Sequence, residues 1–318
     1  MDKRVSKEDP AIAILGPTAS GKSRLAISLA LRFQGEIVNC DAFQVYKNMD
    51  IGTAKVSPDE QQLVRHHMMD LQNPDQDFSA GEYQRQARDV IRGICGRGHL
   101  PIVVGGTGFY LRALIDGLFE GPARSEELRV RMRRVIQRKG PQILHRALQR
   151  VDPEYAARIA PMDSERVIRA YEVHLVSGKP MTWWQQQPRD AFQGYRWMKI
   201  GINIPREQLY ERINQRVDDM FRRGLLEETR ELLKKFPRGS QAFKAIGYRQ
   251  AAACIEGRLV ENEAIEDTKK QSRHYAKRQL TWFRADPSIV WLDGNLKPKE
   301  LQAQAENLVA NFLHVQAT

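Results

Sequence analysis

Short apolar runs alternate with amphipathic stretches over the first third of the chain. Ala11 to Leu15 is followed at once by Gly16-Pro-Thr-Ala-Ser-Gly21-Lys22-Ser23, then by Leu25, Ile27, Leu29 and Ala30 at helical spacing. That order reads as strand, glycine loop and helix. A second apolar run, Glu36 to Cys40, stops at Asp41. A helical pattern over Ala80 to Ile94 leads into a third run, Pro101 to Gly106, and later strand candidates are Trp197 to Ile204 and Ile289 to Leu292. Strands covered on both faces have no polar side, so these runs between helices predict an α/β fold around a buried parallel sheet.

From about Gly121 to Gly194 the pattern changes. No strand-like run occurs there, and helical spacing dominates from Ser125 to Ser177, broken at Gly140-Pro141, Asp152-Pro153 and Gly178-Lys-Pro180. The expected organisation is a helical insertion, 121–194, in a core made of 1–120 and 195–318. The C-terminal third is again mostly helical, with breaks at Phe236-Pro-Arg-Gly239 and Glu256-Gly257.

Charge changes the picture next. Across 318 residues, 50 Lys+Arg stand against 39 Asp+Glu, a net +11, which favours a polyanionic partner. Residues 124–150 hold nine Arg/Lys against two Glu, and 268–284 hold six more interleaved with Tyr275, Trp282 and Phe283. Basic side chains between aromatic ones suit nucleic-acid backbone and bases. Three scattered cysteines form no disulfide framework. No run is long and apolar enough for a membrane helix, and no signal-peptide pattern opens the chain, so a soluble, reduced, cytoplasmic protein is expected. His66 and His67 have no third metal ligand nearby and are expected to be structural.

The loop at 16–23 fits G-x-x-x-x-G-K-[ST] in the strand–loop–helix setting that its chemistry demands. Backbone N–H groups curl towards phosphate oxygens, the helix N-terminus adds partial positive charge, Lys22 supplies a point charge and the Ser23 hydroxyl can ligate Mg²⁺. Nucleotide hydrolases with such a loop hold Mg²⁺ with an Asp ending a later strand. Here the run at 102–104 ends in Gly105-Gly-Thr107-Gly108 instead. The acid is Asp41, at a strand end, where α/β sheets place ligands. It can serve there as metal ligand, general base or solvated cap. Thr107 can cap the helix that follows it or face a ligand.

These segments together resemble one family, the tRNA dimethylallyltransferases (tRNA isopentenyltransferases). The likeness lies in GPTASGKS at 16–23, DAFQVY at 41–46, IGTAK at 51–55, HHMMD at 66–70 and GGTGFY at 105–110. It continues through DSERVIRAYEV at 163–173, SGK at 177–179, AIGY at 245–248 and YAKRQLTWFR at 275–284. The resemblance implies a P-loop NTPase-like core with a helical insertion that contacts tRNA. It also implies transfer of a dimethylallyl group from dimethylallyl diphosphate to N6 of the adenosine just 3′ of the anticodon.

On that resemblance Asp41 is the general base, assisted by Thr107 and Arg216. Gly16, Thr18, Ala19, Ser20, Gly21, Lys22 and Ser23 cradle the diphosphate, with Mg²⁺ as cofactor on Ser23. The tRNA anticodon stem-loop is expected against Asp41, Ala42, Phe43, Gln44 and Thr107 at the strand ends. In the insertion the expected contacts are Arg129 and the run Glu165, Arg166, Val167, Ile168 and Arg169. In the C-terminal part they are Gly247, Tyr248, Arg249, Lys277 and Arg278. A monomer is expected. Ala42 departs from the family's usual Ser, which removes one hydroxyl beside Asp41. Three rival readings stand beside this one. The missing strand-end Asp and the basic segments count against a small-molecule or nucleoside kinase. An enzyme that prenylates free AMP needs no long basic helices. A non-catalytic RNA-binding protein leaves the glycine loop unexplained.

Overall fold

The computed structural model describes residues 8–314. In chain order the elements begin β1 (Asp9–Leu15), α1 (Lys22–Arg32), β2 (Gly35–Asn39), α2 (Pro58–Leu63), β3 (His66–His67), α3 (Ala80–Gly96), β4 (Leu100–Gly105) and α4 (Gly108–Ile115). Five helices follow, α5 (Glu126–Lys139), α6 (Gln142–Val151), α7 (Pro153–Arg158), α8 (Ser164–Ser177) and α9 (Met181–Gln185). The chain then runs through β5 (Tyr195–Asn203), α10 (Arg206–Arg222), α11 (Leu225–Lys235), a 3-10 turn (Gln241–Lys244), α12 (Tyr248–Ile255), α13 (Glu261–Arg284), β6 (Ile289–Asp293) and α14 (Pro298–His314).

Among the described residues the strands make one parallel sheet in the order β3-β2-β4-β1-β5-β6. Alternate residues of β1 enter opposite layers. Ile12 and Ile14 pack with Leu25, Leu29 and Val309, while Ala13 and Leu15 pack with Val38, Tyr83 and Ile91. Both layers are apolar, which is why β1 and β4 read as unbroken apolar runs.

The register aligns three loops. Leu15 pairs with Gly105 across β1 and β4, and Asn39 pairs with Val104 across β2 and β4. The segments that leave β1, β4 and β2 at their C-terminal ends therefore lie side by side, where open α/β sheets bind ligands. The close fit there has a visible cause: a Cβ at Gly105 would sit 2.1 Å from the Cys40 carbonyl oxygen.

Two compact units emerge from the contacts, residues 1–115 with 192–318, and residues 116–191. The second unit holds α5 to α9, and the breaks read at 140–141, 152–153 and 178–180 all separate helices. Its core is Met132, Leu144, Leu148, Val167, Ile168 and Val173 with their neighbours. Glu172, fully buried, accepts from Arg129 Nε and Nη2 at 3.0 Å each, from Arg169 Nη1 at 2.7 Å and from the Ser125 amide at 2.8 Å. Among the described residues no helix is long and apolar enough to cross a membrane.

The edge strand β3 was not foreseen. It has two residues, and both imidazoles are occupied: His66 Nδ1 lies 2.7 Å from the Val64 carbonyl, and His67 Nε2 lies 2.6 Å from Glu36 Oε2. Burial alone would raise the Glu36 carboxyl, but hydrogen bonds from Arg97, His67 and His99 override it and hold the group down at about 2.

Candidate active site

A cavity of about 350 Å³ opens at these strand ends. Thr18, Lys22 and Ser23 line it from the glycine loop, Asp41, Phe43 and Gln44 from the segment after β2, Arg216 from α10, and Tyr275, Arg278 and Gln279 from α13. Val56, Val104, Ile213, Val217 and Met220 give it an apolar portion.

The glycine loop adopts a backbone that few side chains tolerate. Gly21, at the N-cap of α1, has φ 84°, and Ala19 has φ 63°. The first amides of α1, from Lys22 and Ser23, have no partner within the helix and stand at its positive end. The Ser20 hydroxyl is buried without a hydrogen-bond partner. Lys22 Nζ donates to the Pro17 carbonyl at 3.1 Å. Burial and the Arg216 guanidinium, against the pull of Asp41, push the Lys22 ammonium down to about 8. Burial likewise lowers Arg216, and Asp41 again opposes the shift. Two cations held in a desolvated cavity with one carboxylate form a site short of negative charge, the electrostatic signature of an anion site.

Asp41 Oδ1 accepts from the amides of Phe43 at 2.9 Å and Gln44 at 3.4 Å. This local turn fixes the carboxylate over the cavity. Thr107 stands immediately before α4, its carbonyl accepting from the amides of Tyr110 at 3.0 Å and Leu111 at 3.2 Å. Thr107 Oγ1 accepts from the Ala42 amide at 3.2 Å and is also a hydrogen-bond partner of Tyr275. It thus ties the turn after β4 to the segment that carries Asp41. Gln44 Nε2 reaches the Thr53 carbonyl at 3.1 Å, and Arg216 Nη2 the same oxygen at 3.4 Å.

The sequence profile of the IPP transferase family matches residues 44–286. The chain belongs to this family, that of the tRNA dimethylallyltransferases. A tRNA dimethylallyltransferase of Koribacter versatilis is 51% identical over 287 residues, covering 90% of this chain and 94% of that one. The crystal structure of a full-length tRNA isopentenylpyrophosphate transferase from Bacillus halodurans superposes with a TM-score of 0.73 at 38% identity, covering 98% of each chain. A eukaryotic dimethylallyltransferase, caught in crystallographic snapshots acting on tRNA, gives a TM-score of 0.75 at 27% identity, over 95% of this chain and 80% of that one.

Within this family fold, the residues expected at the tRNA surface differ widely in exposure. Arg129 is 9% exposed and committed to Glu172. Val167 and Ile168 are at most 1% exposed, inside the insertion core. Tyr248 is fully buried, its hydroxyl donating to Glu228 and accepting from the Gly52 amide at 3.2 Å. Gly247 is buried as well, its amide donating to Gln250 Oε1 at 3.0 Å. Arg169 spans the Pro122 carbonyl and Glu172. Glu165, Arg166, Arg249, Lys277 and Arg278 are exposed. Arg249 and Arg278 also line the cavity. Gln279, which also lines the cavity, stood in the sequence only as part of the run 275–284 and carried no role there; its local signal is a polar side chain on an otherwise apolar or small helix face.

Proposed function

We propose that this cavity transfers a dimethylallyl group from dimethylallyl diphosphate to N6 of the adenosine immediately 3′ of the anticodon in tRNA and releases diphosphate. What carries the reading is the convergence of Lys22, Arg216 and Asp41 on one half-polar, half-apolar cavity beside the glycine loop. The loop amides, Lys22 and Arg216 face the diphosphate, and the apolar portion suits the five-carbon chain. As the allylic C–O bond breaks, its electron pair leaves with the diphosphate, and these cations stabilise the growing charge. The adenine N6 lone pair forms the new N–C bond. The exocyclic amine is a poor nucleophile, and Asp41 takes its proton. An anticodon-loop base leaves its stack at modest cost, so it can reach such a cleft.

The donors fit Mg²⁺ brought in on the diphosphate: the Ser23 hydroxyl is a hard oxygen ligand, and magnesium keeps most of its shell as water and phosphate oxygens. When bound, the ion neutralises part of the leaving group's charge. The enzyme is expected to work in the cytoplasm as a monomer, with one anticodon stem-loop per chain.

The reading is tested by incubating the protein with labelled dimethylallyl diphosphate and unmodified tRNA, then digesting to nucleosides. Label in N6-dimethylallyladenosine, mapped to the base 3′ of the anticodon, supports it. Label on free AMP alone, or none, removes it. A pH dependence follows from Lys22. The ligand-free ammonium loses its proton through about pH 8, so the affinity for dimethylallyl diphosphate should fall as pH rises above that value. Lys22→Ala should bind weakly and show a flat profile there, as titration calorimetry at several pH values can check.

A further inference from the structure

Helix α13 turns Ala264, Thr268, Ala276, Gln279 and Phe283 inward. The spacing keeps one face of the helix in the core, and Gln279 is the longest polar side chain on that face. Gln279 is 5% exposed, and its amide is used at both ends. Oε1 accepts from the Thr18 amide at 2.9 Å, and Nε2 donates to the Gly106 carbonyl at 2.8 Å. Thr18 belongs to the loop after β1, and Gly106 to the turn after β4. The three segments pack closely: a Cβ at Gly106 would stand 2.0 Å from Gln279 Nε2 and 3.4 Å from the Gly16 carbonyl oxygen. A buried amide in such a place is tolerated because both of its ends are hydrogen-bonded.

The consequence lies in what each loop carries. The loop after β1 presents Lys22 and the α1 amides. The turn after β4 presents Thr107, which holds the Ala42 amide next to Asp41. Gln279 is therefore a side-chain strut between the half of the cavity that receives the leaving group and the half that receives the amine. The strut stands on the same helix as exposed Lys277 and Arg278.

We propose that Gln279 is a positioning residue: it holds the glycine loop in register with the Thr107–Asp41 segment, so that the allylic carbon and the acceptor nitrogen meet at reacting distance. This rests on the reading of the glycine loop as the diphosphate cradle. A misplacement of about 1 Å between reacting groups costs on the order of a hundredfold in rate.

The test uses the full chain. Gln279→Met keeps the volume and helix preference and removes both hydrogen bonds; Gln279→Glu keeps an acceptor for Thr18 and removes the donor to Gly106. Steady-state kinetics, filter binding of tRNA, calorimetry with Mg²⁺ and inorganic diphosphate, and thermal unfolding are measured for each. For the Met variant the expected result is a kcat lowered about a hundredfold and a raised KM for dimethylallyl diphosphate, with tRNA affinity at the parental value and the chain still fully folded at the assay temperature, its unfolding midpoint only modestly lowered. The Glu variant, which sets an oxygen against the Gly106 carbonyl and a negative charge beside the diphosphate loop, should fall at least as far as the Met variant. Parental kcat and KM in the Met variant would overturn the proposal. So would a loss of activity matched by a loss of tRNA binding or of folding. Lys22→Ala, run alongside, separates the two ideas. Parental diphosphate binding in that variant defeats the cradle reading, whereas weak binding there with parental kinetics in Gln279→Met defeats the strut alone.

Discussion

Asp41→Ala is expected to lower kcat by about two to four orders of magnitude while tRNA affinity stays near the parental value. The size follows from the acceptor: the adenine amine is weakly nucleophilic, and proton removal during attack is the help a carboxylate can give. The selectivity follows from geometry. Asp41 is a short side chain in a turn of its own making, with Oδ1 fixed by the amides of Phe43 and Gln44. A tRNA contact surface spread over exposed cations is little disturbed by its loss. Asp41→Asn separates structure from chemistry, because an amide oxygen still accepts both backbone bonds but the side chain takes no proton. Asparagine and alanine variants with equally low kcat, and single-turnover rates as low as steady-state ones, would place the defect in the chemical step. An Asn variant with parental kcat would remove Asp41 as the base.

The second large effect concerns residues 116–191. Glu172→Ala should destabilise this unit by about 3–5 kcal/mol, the usual cost of leaving buried cations without their carboxylate. Arg129 and Arg169 both donate to that carboxylate, and the Ser125 amide at the start of α5 does too. A small unit with a modest core has little stability to spare. Urea unfolding followed by fluorescence, in chains that keep tryptophan only at Trp183 and Trp184, reports on this unit. An unchanged midpoint in the Ala variant would show that the ion cluster is dispensable. The pH behaviour has a definite sign. Burial alone would raise the Glu172 carboxyl, but the Arg129, Arg169 and Ser125 hydrogen bonds hold it below its ordinary 4.5. Its contribution is therefore full above pH 4.5 and is lost as the pH falls through the lowered value, so the parental unit should weaken in acid more steeply than the variant.

Legibility in the sequence followed burial and local chemistry. Strands β1, β2 and β4 were visible because a strand covered on both faces is a continuous apolar run. The glycine loop was visible because its function needs particular residues at fixed spacing. Strand β3 was not, since two histidines carry no periodicity; they lie alongside Ile37 and Val38 of β2, where the Ile37 amide donates to the Arg65 carbonyl and His67 meets Glu36. Counting cations in 124–150 correctly marked a basic segment but could not say which way each side chain turns; Arg129 turns inward to Glu172, forty-three residues on. The burial of Tyr248 was hidden for the same reason, its hydroxyl serving Glu228 and the loop at Gly52. Asp41 was legible as a strand-end acid, whereas Arg216 came only through family resemblance, because a helical arginine facing a cavity looks in sequence like one facing water. Gln279 required the fold itself, since its two partners are 261 and 173 residues away.

The most direct test is a crystal structure of the chain with Mg²⁺, inorganic diphosphate and an unmodified anticodon stem-loop. The expected arrangement has the diphosphate on the amides of residues 18–23 with Lys22 and Arg216 against its oxygens. The adenosine 3′ of the anticodon should be everted, with its N6 at about 2.6–3.2 Å from a carboxylate oxygen of Asp41. Diphosphate bound away from the loop, or an adenine whose N6 lies beyond reach of Asp41, would contradict it.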